Sequence, residues 1–152
     1  MKIRKVNIED YLEVINLYRQ LHDAEKVFDD NLVEELIIDE EQEKKIKKRM
    51  KSRKEIFLVA EIESKVVGLI DGFIIDDIFF KEKIAYLDHI CVDKKYRNNE
   101  IGTKLIKEFQ KLSQKKGAKF VKLNAFAKNI NAIKLYEKFG FKEHSRFYVN
   151  KI

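Results

Sequence analysis

The stretch AYLDHICVDKKYRNNEIGTKLIKEF, residues 85–109, decides the fold. Its opening belongs to an apolar strand, KIAYLDHICV (83–92). Its close places Ile101, Leu105, Ile106 and Phe109 on one side of a helix that runs from about 100 to 115. Lys115, Lys116 and Gly117 suit that helix's C-terminal end. Between strand and helix lies a polar turn. The next apolar run, KFVKLNAF (119–126), is a second strand. Two strands joined through a helix should lie as parallel neighbours.

Upstream, IFLVAEI (56–62) and VVGLIDGFII (66–75) are β-branched runs separated by Glu63-Ser64-Lys65, which predicts a hairpin. Residues 2–7 read as a short strand. Residues 9–22 form a helix through Tyr11, Val14, Ile15, Tyr18 and Leu21, with Asn7 as its cap. A short helix is expected over 30–38. Another, over 40–53, carries only Ile46 and Met50 as a thin apolar stripe and should lie on the surface. Downstream, 129–138 is a helix and FKEHSRFYV (141–149) a last strand. The order is β α α β β β α β α β. It predicts an α/β (α+β) fold, with a mixed, mostly antiparallel central sheet of six to seven strands and helices on both faces.

Composition bounds the function. The 152 residues suit one domain, 1–152, and a 45% hydrophobic share can fill its core. No apolar run is long enough to cross a bilayer, and MKIRKVNIED lacks the apolar centre of a secretory signal, so no membrane partner is expected. Cys91 is the lone cysteine, so no internal disulfide forms; the cytoplasm is the expected compartment. The net charge of +6 comes from 32 Lys and Arg against 26 Asp and Glu, a mixed surface rather than a basic face. The aromatics sit mostly at core-facing periods, so no nucleic-acid partner is expected. Homodimer formation is left open.

The turn Arg97-Asn98-Asn99-Glu100-Ile101-Gly102-Thr103 has the build of a diphosphate cradle. Several backbone N–H groups converge there at a helix N-terminus. Arg97 adds a fixed positive charge, Gly102 allows close approach, and Asn98 or Asn99 tolerates a left-handed backbone. Neither a dinucleotide-fold glycine pattern nor a Walker loop is present. In the 129–138 helix, Tyr136 follows Asn129 by two turns and shares its face. Read alone, Tyr136 is one member of a buried stripe with Ile130, Ile133 and Phe139.

Together these segments resemble the GNAT superfamily of N-acetyltransferases. The superfamily signature Arg/Gln-x-x-Gly-x-Gly/Ala aligns with Arg97 to Gly102. A second pattern, Asn-x-x-Ala-x-x-x-Tyr-x-x-x-Gly-Phe, aligns with Asn129, Ala132, Tyr136, Gly140 and Phe141. VVGLI (66–70) resembles the superfamily's third strand. The departure is Glu100, which stands where the superfamily usually has glycine. A Cβ there costs roughly 1–2 kcal/mol if the backbone must be left-handed, and a carboxylate repels a diphosphate. The donors are main-chain groups and survive, so coenzyme A binding should persist with the Glu100 side chain turned to solvent.

The resemblance implies acetyl transfer from acetyl-coenzyme A to a primary amine by direct attack in a ternary complex. It makes Tyr136 the acid for the leaving thiolate, and Asn129 a partner of the cofactor's pantetheine arm. Backbone N–H groups of Ile90, Cys91 or Val92 would serve the oxyanion. Strand YLDHICVDKKYR resembles polyamine acetyltransferases, which carry a glutamate at the position of Asp88. The base is Asp88, His89 or water. Strand alternation would put Tyr86, Asp88, Ile90 and Val92 on one face and Leu87, His89 and Cys91 on the other. The acidic group Asp71, Asp76, Asp77, Glu82 and Asp88 suits a cationic acceptor, either a small polyamine-like amine or a protein amine. The other reading is a domain of the same shape that binds coenzyme A without turnover. Glu100 favours that reading, and the retained Asn129 and Tyr136 oppose it.

Overall fold

The computed structural model describes residues 1–152. Five strands are β1 (Lys2–Lys5), β2 (Glu55–Ile62), β3 (Lys65–Ile75), β4 (Ile84–Val92) and β5 (Phe120–Leu123). They form one sheet in chain order. Neighbours are antiparallel except β4 and β5, which are parallel, as a helical crossover between them requires. The helices are α1 (Tyr11–Glu25), α2 (Glu40–Lys51), α3 (Ile101–Lys115) and α4 (Ile130–Glu137).

Alternation along β2 sorts the core into two layers. Ile56, Leu58 and Ala60 join Leu105, Ile106 and Phe109 of α3 on one face. Phe57 and Val59 join Val14, Leu17 and Tyr18 of α1 and Met50 of α2 on the other. Phe109 has no exposed surface, so truncating it to alanine would cost about 3–5 kcal/mol. Gly72 makes room for it: a Cβ there would lie 2.8 Å from the Phe109 ring and 2.0 Å from the Tyr86 carbonyl.

Several expectations are corrected. The sheet has five strands, not six to seven. Residues 141–152 form no strand, and the 119–126 run contributes only Phe120–Leu123, so β5 keeps a free outer edge. The helix expected over 30–38 is absent, with Val33 and Ile37 exposed. Of Leu32, Val33, Leu36 and Ile37, only Leu36 packs against the core, and so short a helix does not hold by itself. Met50 of α2 is buried, so that thin stripe does anchor its helix. Asn7 precedes a 3-10 turn, Ile8–Asp10, from which α1 continues.

The faces of β4 are also corrected. Asp71 pairs with His89 but Gly72 pairs with Leu87, so Asp88 is the extra residue of a β-bulge. The bulge reverses the alternation. Ala85 and Leu87 face α3, and so do Ile90 and Val92 beyond the bulge. His89 and Cys91 turn to the α1 side instead.

Candidate functional site

The bulge marks where β4 and β5 part. β5 pairs with β4 only from Ile84 to Leu87. From Asp88 onward the β5-facing side of β4 is open. The Asp93 N–H donates to the Val67 carbonyl on β3. Ladder alternation then turns the N–H and C=O groups of Ile90 and Val92 toward the opened side. The Val92 carbonyl indeed accepts a hydrogen bond there from Arg97 Nε, at 3.1 Å. Cys91 lies the other way, its side chain buried and its thiol pushed up to about 12, chiefly by that burial. It is no nucleophile.

The polar turn follows at once. Asn98 and Glu100 both have positive φ, 65° and 57°. Glu100 sits at the N-cap of α3 in the left-handed region, and its exposed side chain makes no capping hydrogen bond. The carboxylate therefore does not plug the helix mouth. The N–H groups of Ile101, Gly102 and Thr103 belong to the first turn, which has no intrahelical acceptors. Ile101 offers only its backbone, since its side chain is 2% exposed in the core. Asn99 shapes the turn by donating from Nδ2 to the Tyr96 and Arg97 carbonyls. The Arg97 side chain is exposed beside it. These donors and this charge fit a diphosphate, and the open edge of β4 fits an extended amide-bearing arm such as that of coenzyme A.

The opening is flanked by α4. Asn129 caps that helix, its Oδ1 accepting from the Ala132 N–H at 3.2 Å. The side-chain amide N–H groups of Asn129 remain free for a ligand. Tyr136 packs, with Leu135 and Phe139, against the same apolar cluster as Ile90 and Val92. Its ring meets Phe141 edge-on, centroids 5.9 Å apart. Burial, and then the charge of Glu25, push its phenol up to about 12, so it is protonated at neutral pH. The bulge and the helix thus bring Ile90, Val92 and Tyr136 to one apolar cluster, with Arg97 bonded to the Val92 carbonyl beside the α3 N-terminus.

On the α1 side lies a polar cluster read only in part from sequence. Asp71 is fully buried. The Tyr18 hydroxyl donates to Asp71 Oδ2 at 2.7 Å, and Arg49 Nη2 donates to Oδ1 at 2.7 Å. His89 Nδ1 lies 3.1 Å from Asp71 Oδ1. Asp88, displaced by the bulge, reaches the same group: its Oδ2 is 3.1 Å from Arg49 and 3.5 Å from His89. The expectation that His89 would face away from Asp88 is overturned. Burial alone would lower the His89 pKa, but the hydrogen bond and charge of Asp71, helped by Asp88, leave it raised. Burial and Asp71 raise that of Tyr18. Asp71, Asp88 and His89 are close enough to suggest a metal site. Arg49 already supplies the positive charge there.

Tyr18 and Arg49 were not singled out in the sequence, because each reads there as an ordinary member of a helix. Glu25, at the end of α1, was not singled out either. It is half-buried, with its pKa raised by burial. A depression on α2 is lined only by Lys44, Lys47, Lys48, Lys51 and Ser52, and offers no apolar wall.

The comparisons with known proteins bear on family and fold. The acetyltransferase (GNAT) family model matches residues 13–141. The chain belongs to that family. Human N-acetyltransferase 8 is 32% identical over 97 residues, which is 64% of this chain and 43% of that protein. The spermine/spermidine N(1)-acetyltransferase of Bacillus subtilis (strain 168) is 36% identical over 58 residues, 38% of each. The matches thus span about two fifths of the length of these curated relatives. Among solved structures, a mutant of the Bacillus halodurans BH1408 protein superposes with a TM-score of 0.87. It is 19% identical, and the match covers 100% of this chain and 99% of that one, so the two share one fold.

Proposed function

We propose that this protein transfers an acetyl group from acetyl-coenzyme A to a primary amine, by direct attack in a ternary complex. The acceptor is a small polyamine-like amine or a protein amine. One observation carries the reading: β4 opens, beyond its bulge, between the uncapped mouth of α3 and the phenol of Tyr136. Family membership and the similarity to a spermine/spermidine acetyltransferase support the reaction and the acceptor class.

Each residue has a task. Main-chain N–H groups of Ile101, Gly102 and Thr103 hold the diphosphate, with Arg97 adding charge. Ile90 and Val92 pair with the amide-bearing arm, and one of their N–H groups faces the thioester carbonyl as oxyanion donor. Asn129 donates to the same arm. Acetyl-coenzyme A supplies the activated carbonyl and a thiolate that leaves. The Tyr136 phenol gives that thiolate its proton. Asp88 and His89 border the acceptor end. Asp88 is one of the candidate bases, with His89 and water, but its pairing with Arg49 and His89 leaves it poorly placed to take a proton.

A thiol-release assay with acetyl-coenzyme A across polyamines, aminoglycosides, amino acids and peptide N-termini tests the reading. At least one amine should release thiol. With that amine, Tyr136→Phe should lower kcat by about 100-fold or more and leave KM for acetyl-coenzyme A nearly unchanged. Full activity in the variant would remove Tyr136 as acid. Binding of acetyl-coenzyme A with no amine ever acetylated would instead favour the reading without turnover, to which the residue at position 100 lends itself.

A further inference from the structure

The proposed reaction needs a group that receives the acceptor's ammonium and relieves it of a proton. Two of the acids expected to draw a cationic acceptor, Asp71 and Asp88, are occupied. Asp71 is held by Tyr18, Arg49 and His89, and Asp88 by Arg49. Glu25 is different. Burial and the charges of His89 and His22 are the influences on it, and no hydrogen bond or ion pair is among them.

Its placement is set by α1. Tyr18, which bonds Asp71, has its ring 5.2 Å from that of His89. Glu25 follows Tyr18 by seven residues, so it lies on the same helix face about 10 Å further along. Just beyond, Phe28 stacks on Phe126, with centroids 5.9 Å apart at 29°. Phe126 follows β5, so this contact ties the end of α1 to the strand on the far side of the opening. The Glu25 charge reaches Tyr136 and Cys91. One turn before Glu25, His22 has both ring nitrogens buried without a hydrogen-bond partner, Nδ1 lying 3.8 Å from Asp23 Oδ1, so the neighbouring side chain gives Glu25 no hydrogen bond. A half-buried carboxylate with no cation is costly to keep unless a ligand brings one.

We propose that Glu25 is the acceptor-amine site, binding the primary ammonium and taking one of its protons. The inference rests on the acetyltransfer reading. The neutral amine nitrogen then bonds to the thioester carbonyl carbon and the C–S bond breaks. Tyr136 protonates the departing sulfur and recovers a proton from the new amide nitrogen. The proton on Glu25 returns to solvent. Occupancy by a cation also cancels the charge through which Glu25 holds the Tyr136 proton, so a bound acceptor makes the phenol a better acid.

Steady-state kinetics on the full chain test this, with the amine turned over best in the panel. Glu25→Gln should raise KM for the amine about 10- to 100-fold and lower kcat. KM for acetyl-coenzyme A should stay within about twofold, and Glu25→Asp should restore part of the loss. Glu25→Gln should melt no lower than the parent, because it removes an unpaired charge. An unchanged amine KM in an active Glu25→Gln enzyme overturns the inference and leaves the acetyltransfer reading standing. Should the parent acetylate no amine, that reading falls, and calorimetric binding of spermidine decides on Glu25 separately. Weaker binding to Glu25→Gln than to the parent supports the site; equal or absent binding to both overturns it.

Discussion

Glu100 stores strain at the mouth of α3, the proposed diphosphate site. Its φ of 57° and ψ of 11° lie in the left-handed region, and no side-chain bond compensates. Glycine in its place would relieve about 1 kcal/mol of backbone strain and remove a negative charge from the α3 mouth. Glu100→Gly is therefore expected to bind coenzyme A several-fold more tightly. Fluorescence or calorimetric titration at two salt concentrations checks this, and the gain should shrink as salt rises. An unchanged dissociation constant would mean that neither strain nor charge at this position reaches the diphosphate. A left-handed residue in this turn was legible in part: the sequence offered Asn98 or Asn99 for it and Glu100 only as a condition, and the structure has it at Asn98 and Glu100. Tyr18 and Asp71 were not, since their partners lie 53 positions apart in the chain.

Helices and strands divide the same way. α3 was legible because its apolar residues repeat with helical spacing, and Ile101, Leu105, Ile106 and Phe109 are all buried. The bulge in β4 was not, because it is a property of pairing with β3 rather than of either strand alone. Nor does sequence show how α1 steadies the turn that leads into α3. Gln20 reaches across to it twice. Its Oε1 accepts from the Lys94 N–H at 3.0 Å, and its Nε2 donates to Asp93 Oδ2 at 3.2 Å. Asp93 Oδ1 in turn accepts from the Lys95 N–H. Gln20→Leu should raise KM for acetyl-coenzyme A by about 3- to 10-fold, the loss of about one net hydrogen bond, with kcat and the amine KM little changed. A uniform fall in activity without that split would mark Gln20 as a stability residue alone.

Taken as a unit, the chain is held across its layers by one polar junction. Tyr18 of α1, Arg49 of α2, Asp71 of β3 and His89 of β4 converge, and Glu55 of β2 binds Arg49 at 2.7 Å. His89 is its titrating member. A pKa raised above the ordinary 6.5 means that the folded protein holds this proton more tightly than the unfolded chain. That stabilisation is complete below about pH 6.5 and is lost as pH climbs through the raised folded value. Denaturant midpoints should fall between about pH 6 and pH 9, and His89→Gln should flatten the decline. An equal slope in the variant would assign it to other groups.

The extra residue at position 88 also limits how this protein can change. Point substitutions within β4 alter one contact each. Deleting Asp88 would put the strand into regular step and leave every other side chain on its present face, since Asp71 already stands opposite His89 and Gly72 opposite Leu87. What would go is the carboxylate beside Arg49 and His89. Flattening the bulge with the residue kept would instead turn His89 toward the α3 layer and thrust Ile90 and Val92 among carboxylates and a guanidinium. The strand should therefore bear the loss of this one residue better than the gain of another, and an insertion between Leu87 and Val92 should be less tolerated than removal of Asp88.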